Sequence, residues 1–217
     1  MLLFYKIIIA ITFIILIITY RKDKNYKIKM PILFIVGLAF CVDDIIIPLT
    51  KGTQIPKNLI YNLYSLIDIG VWFYVVFTIL KNQIPRYIAV FLTLIVYTSS
   101  FIELFFYDNI NQFHTTSFCL YELILILISI YYLYFNLKID YYSFSDNIHF
   151  WIIAACIIYH SISFLKFTFM GLYSSSKNIQ SAAFGFYLLG LLSNLLFCIF
   201  ICIAFMNDYF NKLWKTI

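Results

Sequence analysis

The sequence predicts an all-α membrane protein, a single bundle of seven transmembrane helices, and three observations predict it. Hydrophobic residues make up 64% of the 217-residue chain and charged residues only 12%, whereas a water-soluble domain carries about 25% charged residues. Seven apolar runs approach the roughly 20 residues that a helix needs to cross a bilayer. The basic residues between those runs fall mainly on alternate connections, as they do in membrane proteins.

The runs cover residues 2–19, 30–48, 59–80, 87–106, 117–135, 149–170 and 183–206. None shows the apolar–polar alternation of a barrel strand, so helix is the structure that satisfies their backbone groups in lipid. The first run is followed, not preceded, by its positive charges and has no small-residue cleavage site, which makes it an anchor and not a cleaved signal. The second is closed by Pro48 before Lys51, and the third opens after Pro56 and Lys57. The fourth opens after Pro85 and Arg86, and the fifth follows the polar stretch 108–116. The sixth starts at His149 and Trp151, and the seventh is the apolar stretch that begins AFGFYLLGLL. Tyr20, Tyr61, Tyr87, Tyr107, Trp151, Tyr209 and Trp214 fall at the inferred membrane edges, where amphipathic rings settle. One domain, residues 1–217, accounts for the whole chain.

Orientation follows from the connections. Arg21, Lys22, Lys24, Lys27, Lys29, Lys81, Arg86, Lys138, Lys212 and Lys215 lie on one side, against Lys6, Lys51, Lys57 and Lys177 on the other. The richer side faces the cytoplasm, so the N-terminus is expected outside and the C-terminus inside, in a bacterial inner (cytoplasmic) membrane. The net charge of +5 is this topological bias, so nucleic acid is not expected as a partner and the lipid bilayer is.

Ionisable residues inside a spanning helix cost about 2.5–3.5 kcal/mol on insertion scales and are functional candidates by default. Asp43, Asp44, Asp68, Glu103, Glu122, His160 and Lys166 qualify, and Asn194 adds polarity to the seventh helix. In the inferred topology the five carboxylates and Lys166 all fall in the outer half of the membrane, which predicts an outward-facing polar pocket. Helical spacing sharpens this. Tyr61, Tyr64, Ser65, Asp68 and Trp72 share one face of the third helix, as do Ser99, Ser100 and Glu103 on the fourth and Tyr159, Ser163 and Lys166 on the sixth. Lys166 is expected to pair with one of the carboxylates, because an unpaired charge in lipid is expensive.

Several chemistries are excluded by residue placement. His114, His149 and His160 fall at three different depths and cannot converge on one zinc ion. The seventh helix has no lysine for a retinal Schiff base, and no phosphate-binding loop, dinucleotide fingerprint or nucleophile elbow occurs. Cys41, Cys119, Cys156, Cys198 and Cys202 lie in apolar runs without a ligand set around them and are expected to fill core space. No cofactor is expected.

Two resemblances bear on function. The stretch GLAFCVDDIII resembles the acidic motif of the lysoplasmalogenase family, whose later Ser-Asp is replaced here by Ser193-Asn194. More of the chain, through IYNLYSLIDIGVWFYVVF, YELILILISIYYLYFNLK and HFWIIAACIIYHSISFLKF, resembles a group of uncharacterised bacterial seven-transmembrane proteins of similar length. Glu122, Tyr134-Phe135, Phe150-Trp151 and Tyr159 occupy that group's characteristic positions. The second resemblance implies a signalling context, with a cytoplasmic or membrane partner of the sensor-kinase type. The expected function is therefore ligand sensing or signalling support without catalysis. The alternatives are small-solute transport or lipid modification in which His160 works with Asp43, Asp44 or Asp68.

Overall fold

The computed structural model describes residues 2–20, 25–50, 53, 56–107, 115–137, 147–174 and 179–214, with the side chains of 2–5, 44, 106–107, 171–174, 179–183 and 212–214 left aside. The side chains of Asp44, Lys212, His114 and the loop lysines Lys51, Lys138 and Lys177, together with Arg21, Lys22, Lys24 and Lys215, lie outside the described set.

Among the described residues every element is helical. The elements are α1 (Leu2–Thr19), α2 (Tyr26–Cys41), α3 (Lys57–Ile79), α4 (Arg86–Ile102), α5 (Thr115–Leu137), α6 (Ile148–Ser174) and α7 (Ile179–Trp214). A π-helical turn, Val42–Ile46, continues α2 into a last turn at Ile47–Leu49, and another, Glu103–Tyr107, continues α4. Five of these helices are long and apolar enough to cross a membrane, over Lys57–Ile79, Arg86–Phe105, Thr115–Asn136, Ile148–Met170 and Phe184–Asn211.

The π turn in α2 has a local cause. Pro48 has no N–H to give the carbonyl of Asp44 four residues earlier, and its ring crowds that carbonyl. The helix widens just ahead of it, as helices do where the regular ladder is interrupted. The widened turn carries Asp43 and Asp44.

Packing closes most of the helices into a ring. α1 lies against α2, α2 against α3, α3 against α5, α5 against α6, α6 against α7, and α7 returns to α1. α4 leans on the seam between α3 and α5. Its stripe of Tyr87, Val90, Phe91, Leu94, Phe101 and Ile102 is exposed, with the spacing of a lipid-facing helix side. A core of large side chains fills one half of the ring, with Trp72 and Phe73 from α3, Tyr121 and Leu125 from α5, Ile152 and Ile153 from α6, and Phe205 from α7.

Two expected boundaries shift, and one interaction explains both. α2 begins at Tyr26, so Lys27 and Lys29 belong to the helix and not to a loop. α7 runs through to Trp214, well past residue 206. Lys29 is fully buried and forms an ion pair with Asp208 of α7. Asn25 Nδ2 donates to the other oxygen of Asp208 at 2.9 Å, and the Phe205 ring centroid lies 5.7 Å from the Lys29 ammonium. Neither charge could be buried alone, so the pair ties the start of α2 to the end of α7.

Breaking this clamp on one side takes the Asp208 carboxylate away from a buried ammonium. Asp208→Ala is expected to destabilise the bundle by about 3–5 kcal/mol, whereas Lys29→Met combined with Asp208→Leu costs much less. Unfolding of the detergent-solubilised variants measures the difference.

Candidate binding pocket

The stripe of α3 is set by helical spacing. Tyr61, Tyr64, Ser65 and Asp68 all face one cavity of about 770 Å³, and Trp72 lies below it. From Lys57 at the rim to Asp68 is eleven residues, or roughly 16 Å of helix axis. The cavity opens at the end of the bundle where α2 finishes and α3 begins. Every helix of the ring contributes to its wall: Lys6 from α1, Ala39 from α2 with Asp43 from its π turn, the α3 stripe, Phe118 and Glu122 from α5, Tyr159, Lys166 and Phe167 from α6, and Tyr187, Gly190 and Asn194 from α7. α4, outside the ring, contributes nothing.

Five of the residues expected at the site thus meet here: Asp43, Asp68, Glu122, Lys166 and Asn194. The sequence did not single out Lys6, Lys57, Phe186 and Tyr187, which also line the cavity. The two lysines read there as topological charges, and the rings read as part of an apolar run.

Each described carboxylate of the cavity has its own donor. Tyr61 Oη donates to Asp43 Oδ1 at 3.1 Å. Tyr121 Oη donates to Asp68 Oδ2 at 3.3 Å. Glu122 pairs with Nδ1 of His160. Asp68 and Glu122 are buried side chains, and these bonds offset part of the cost of removing them from water.

His160 sits behind the cavity wall and not in it. It is fully buried and boxed by the rings of Trp72, Tyr121 and Tyr159, with centroids 5.8, 5.4 and 5.0 Å away. Its Nε2 has no hydrogen-bond partner. An acid–base pair of His160 with Asp43, Asp44 or Asp68 was the enzymatic expectation, but the hydrogen bond goes to Glu122. The reason is register: Glu122 on α5 faces His160 across the tight α5–α6 contact.

Glu103 is not a cavity residue. Its two oxygens accept from the backbone N–H of Thr116 at 2.9 Å and Ser117 at 2.7 Å. These are orphan donors at the first turn of α5, and a carboxylate there also meets the positive end of the helix dipole. Glu103 therefore joins α4 to α5 and caps it.

Lys166 departs from expectation in the opposite direction. Among the described residues no carboxylate lies within 4.0 Å of its ammonium. Glu122 and Asp43 act on it only at longer range. Its side chain runs along α7 at Gly190, where an added Cβ would lie 3.2 Å from Nζ, and the ammonium stands 4.9 Å from the centroid of the Phe167 ring. Asp43, Asp68 and Glu122 are each engaged by another donor, and the ammonium lies between Gly190 and the Phe167 ring instead.

Below Asp68 the space shrinks to a void of about 50 Å³, where Tyr64, Asp68, Tyr159 and Asn194 meet apolar side chains such as Ile9, Ile35, Trp72 and Phe197. Compared with protein-family models, curated proteins and solved structures, the chain matches none of them.

The assignment of Glu103 separates structure from binding. Glu103→Ala is expected to lower stability by about 0.5–2 kcal/mol, the usual worth of a helix cap, while leaving the affinity of any cavity ligand within twofold. Parallel unfolding and binding titrations check both halves.

Proposed function

We propose that this chain is a seven-span membrane protein of the bacterial inner membrane, N-terminus outside, whose outward-facing cavity binds a small molecule and reports its presence through helix packing. One observation carries the reading: a cavity of about 770 Å³ whose wall is built from all six helices of the ring and holds Asp43, Asp68, Glu122 and Lys166. Its size is that of known small-molecule sites. An occupant that touches six helices changes their mutual packing, and packed helices have discrete arrangements. The charge asymmetry of the connections supports the orientation.

The resemblance to the bacterial seven-transmembrane group supports a signalling role, with a membrane or cytoplasmic partner of the sensor-kinase type. The end of α7, tied to α2 through Asp208 and Lys29, is the element on which such a partner would read the packing. Transport is the weaker reading, because it needs a continuous polar route past Asp68 and the space there narrows to about 50 Å³ among mostly apolar side chains. The Glu122–His160 pair beside Asp68 keeps lipid modification as the rival for acid–base chemistry.

A thermal-unfolding screen of the purified chain against soluble metabolites and lipid extracts tests the proposal. At least one compound is expected to stabilise it, by about 2.7 kcal/mol at a hundredfold excess over Kd. The stabilisation should change when a charged cavity residue is replaced, as in Asp68→Asn or Lys166→Met, and no variant should show turnover. Hydrolysis of an added lysolipid that depends on Asp68 or His160 would replace the sensor reading by the enzyme one.

A further inference from the structure

The hydrogen-bond accounting of the cavity is lopsided. Asp43, Asp68 and Glu122 each accept from a dedicated donor: Tyr61, Tyr121 and His160. Lys166 has three N–H donors and no acceptor capacity of its own. Among the described residues it makes neither a hydrogen bond nor an ion pair. The need left unmet in this cavity is therefore for an acceptor, and a negatively charged one answers it best.

The surroundings of Lys166 narrow the ligand further. Gly190 clears the space in which the ammonium lies, since a side chain at that position would crowd Nζ at 3.2 Å. Lys57 and Lys6 line the same cavity and add positive field. The α5–α7 side of the wall that carries Lys166 is rich in apolar groups, with Phe118, Phe167, Met170, Phe186 and Leu191 beside Glu122, Tyr159, Tyr187 and Asn194. Tyr61, Tyr64, Asp43 and Asp68 stand on the α2–α3 side instead. A molecule with a charged oxygen head and a hydrocarbon body fits both features at once.

We infer that the cavity binds an amphiphilic anion, an alkyl carboxylate or alkyl phosphate, with its head group on the Lys166 ammonium over Gly190 and its chain against the α5–α7 wall. This rests on the binding role proposed above and names the class of ligand. Lys166 is then a binding device that costs stability until an anion meets it, as unpaired charges within a membrane do.

The test uses the full chain in a nonionic detergent with four probes of equal chain length: decanoate, decyl phosphate, decanol and decyltrimethylammonium. Decanoate, decyl phosphate or both should raise the unfolding temperature, and decanol should not. The anion that binds more tightly identifies the source as a fatty acid or a phospholipid-derived phosphate. Lys166→Met should weaken anion binding about 10- to 100-fold, the worth of a charge-assisted hydrogen bond. In the same variant the empty protein should be as stable as the parent or more so, which a structural ion-pairing lysine would not permit. Should that variant fail to fold, Gly190→Ala displaces the ammonium without removing it and is expected to weaken the anions alone. Equal binding of decanol and decanoate overturns the inference, as does anion affinity unchanged in both variants or no binding of any probe. Selective binding of decyltrimethylammonium, abolished in Asp68→Asn, would overturn it too while leaving the cavity as a binding site for cations.

Discussion

A charge inside a low-dielectric bundle must be neutralised, hydrogen-bonded or kept in contact with water, and most of this molecule's specific features follow from that constraint. Lys29 and Asp208 neutralise each other. Glu122 is held by His160, and Glu103 by two backbone N–H groups of α5. Asp43, Asp68 and Lys166 border one cavity, together with Lys6 and Lys57. The cavity is thus the counterpart of the apolar core: the ring of helices is filled by Trp72, Phe73, Tyr121 and Phe205 on one side of Asp68 and left open on the other.

Among the described residues, the helices depart from regular α geometry at two places, and acids sit at both. The π turn Val42–Ile46 carries Asp43 into the cavity, and the turn Glu103–Tyr107 begins with the residue that caps α5. Such turns cost regular hydrogen bonding and tend to mark functional positions. In α2 the proline that causes the distortion is also the last apolar punctuation before the connection to α3. One residue therefore ends the helix, widens it and sets the direction of an acid.

Periodicity made much of this legible in the sequence. The i, i+3, i+4 run from Tyr61 to Trp72 needed only helix geometry to place four side chains in the cavity and the fifth beneath it. The stripe Ser99, Ser100 and Glu103 was equally periodic, and Ser100 and Glu103 are buried. Glu103 reaches the start of α5 and not the cavity, because α4 stands outside the ring, and that is a property of packing order which one helix cannot reveal. Lys29 and Asp208 were hidden for a related reason. They are far apart in the chain, and each alone reads as a charge at a membrane edge. The one available signal was that Asp208 is the single acid after residue 194, placed where the basic side of the bundle was already inferred. The error over Lys166 came from applying a lipid rule to a residue that borders an open cavity.

The central claim is that a cavity open to the outer aqueous phase lies within the apolar bundle, and chemical accessibility tests it most directly. Ser65 lines the cavity midway down α3, and cysteine is nearly its isostere. In intact cells, Ser65→Cys should react with a membrane-impermeant cationic methanethiosulfonate added outside, above the background of the parent chain. Reaction only when the reagent is given access to the cytoplasmic face would reverse the orientation, and no reaction from either face would contradict the cavity itself.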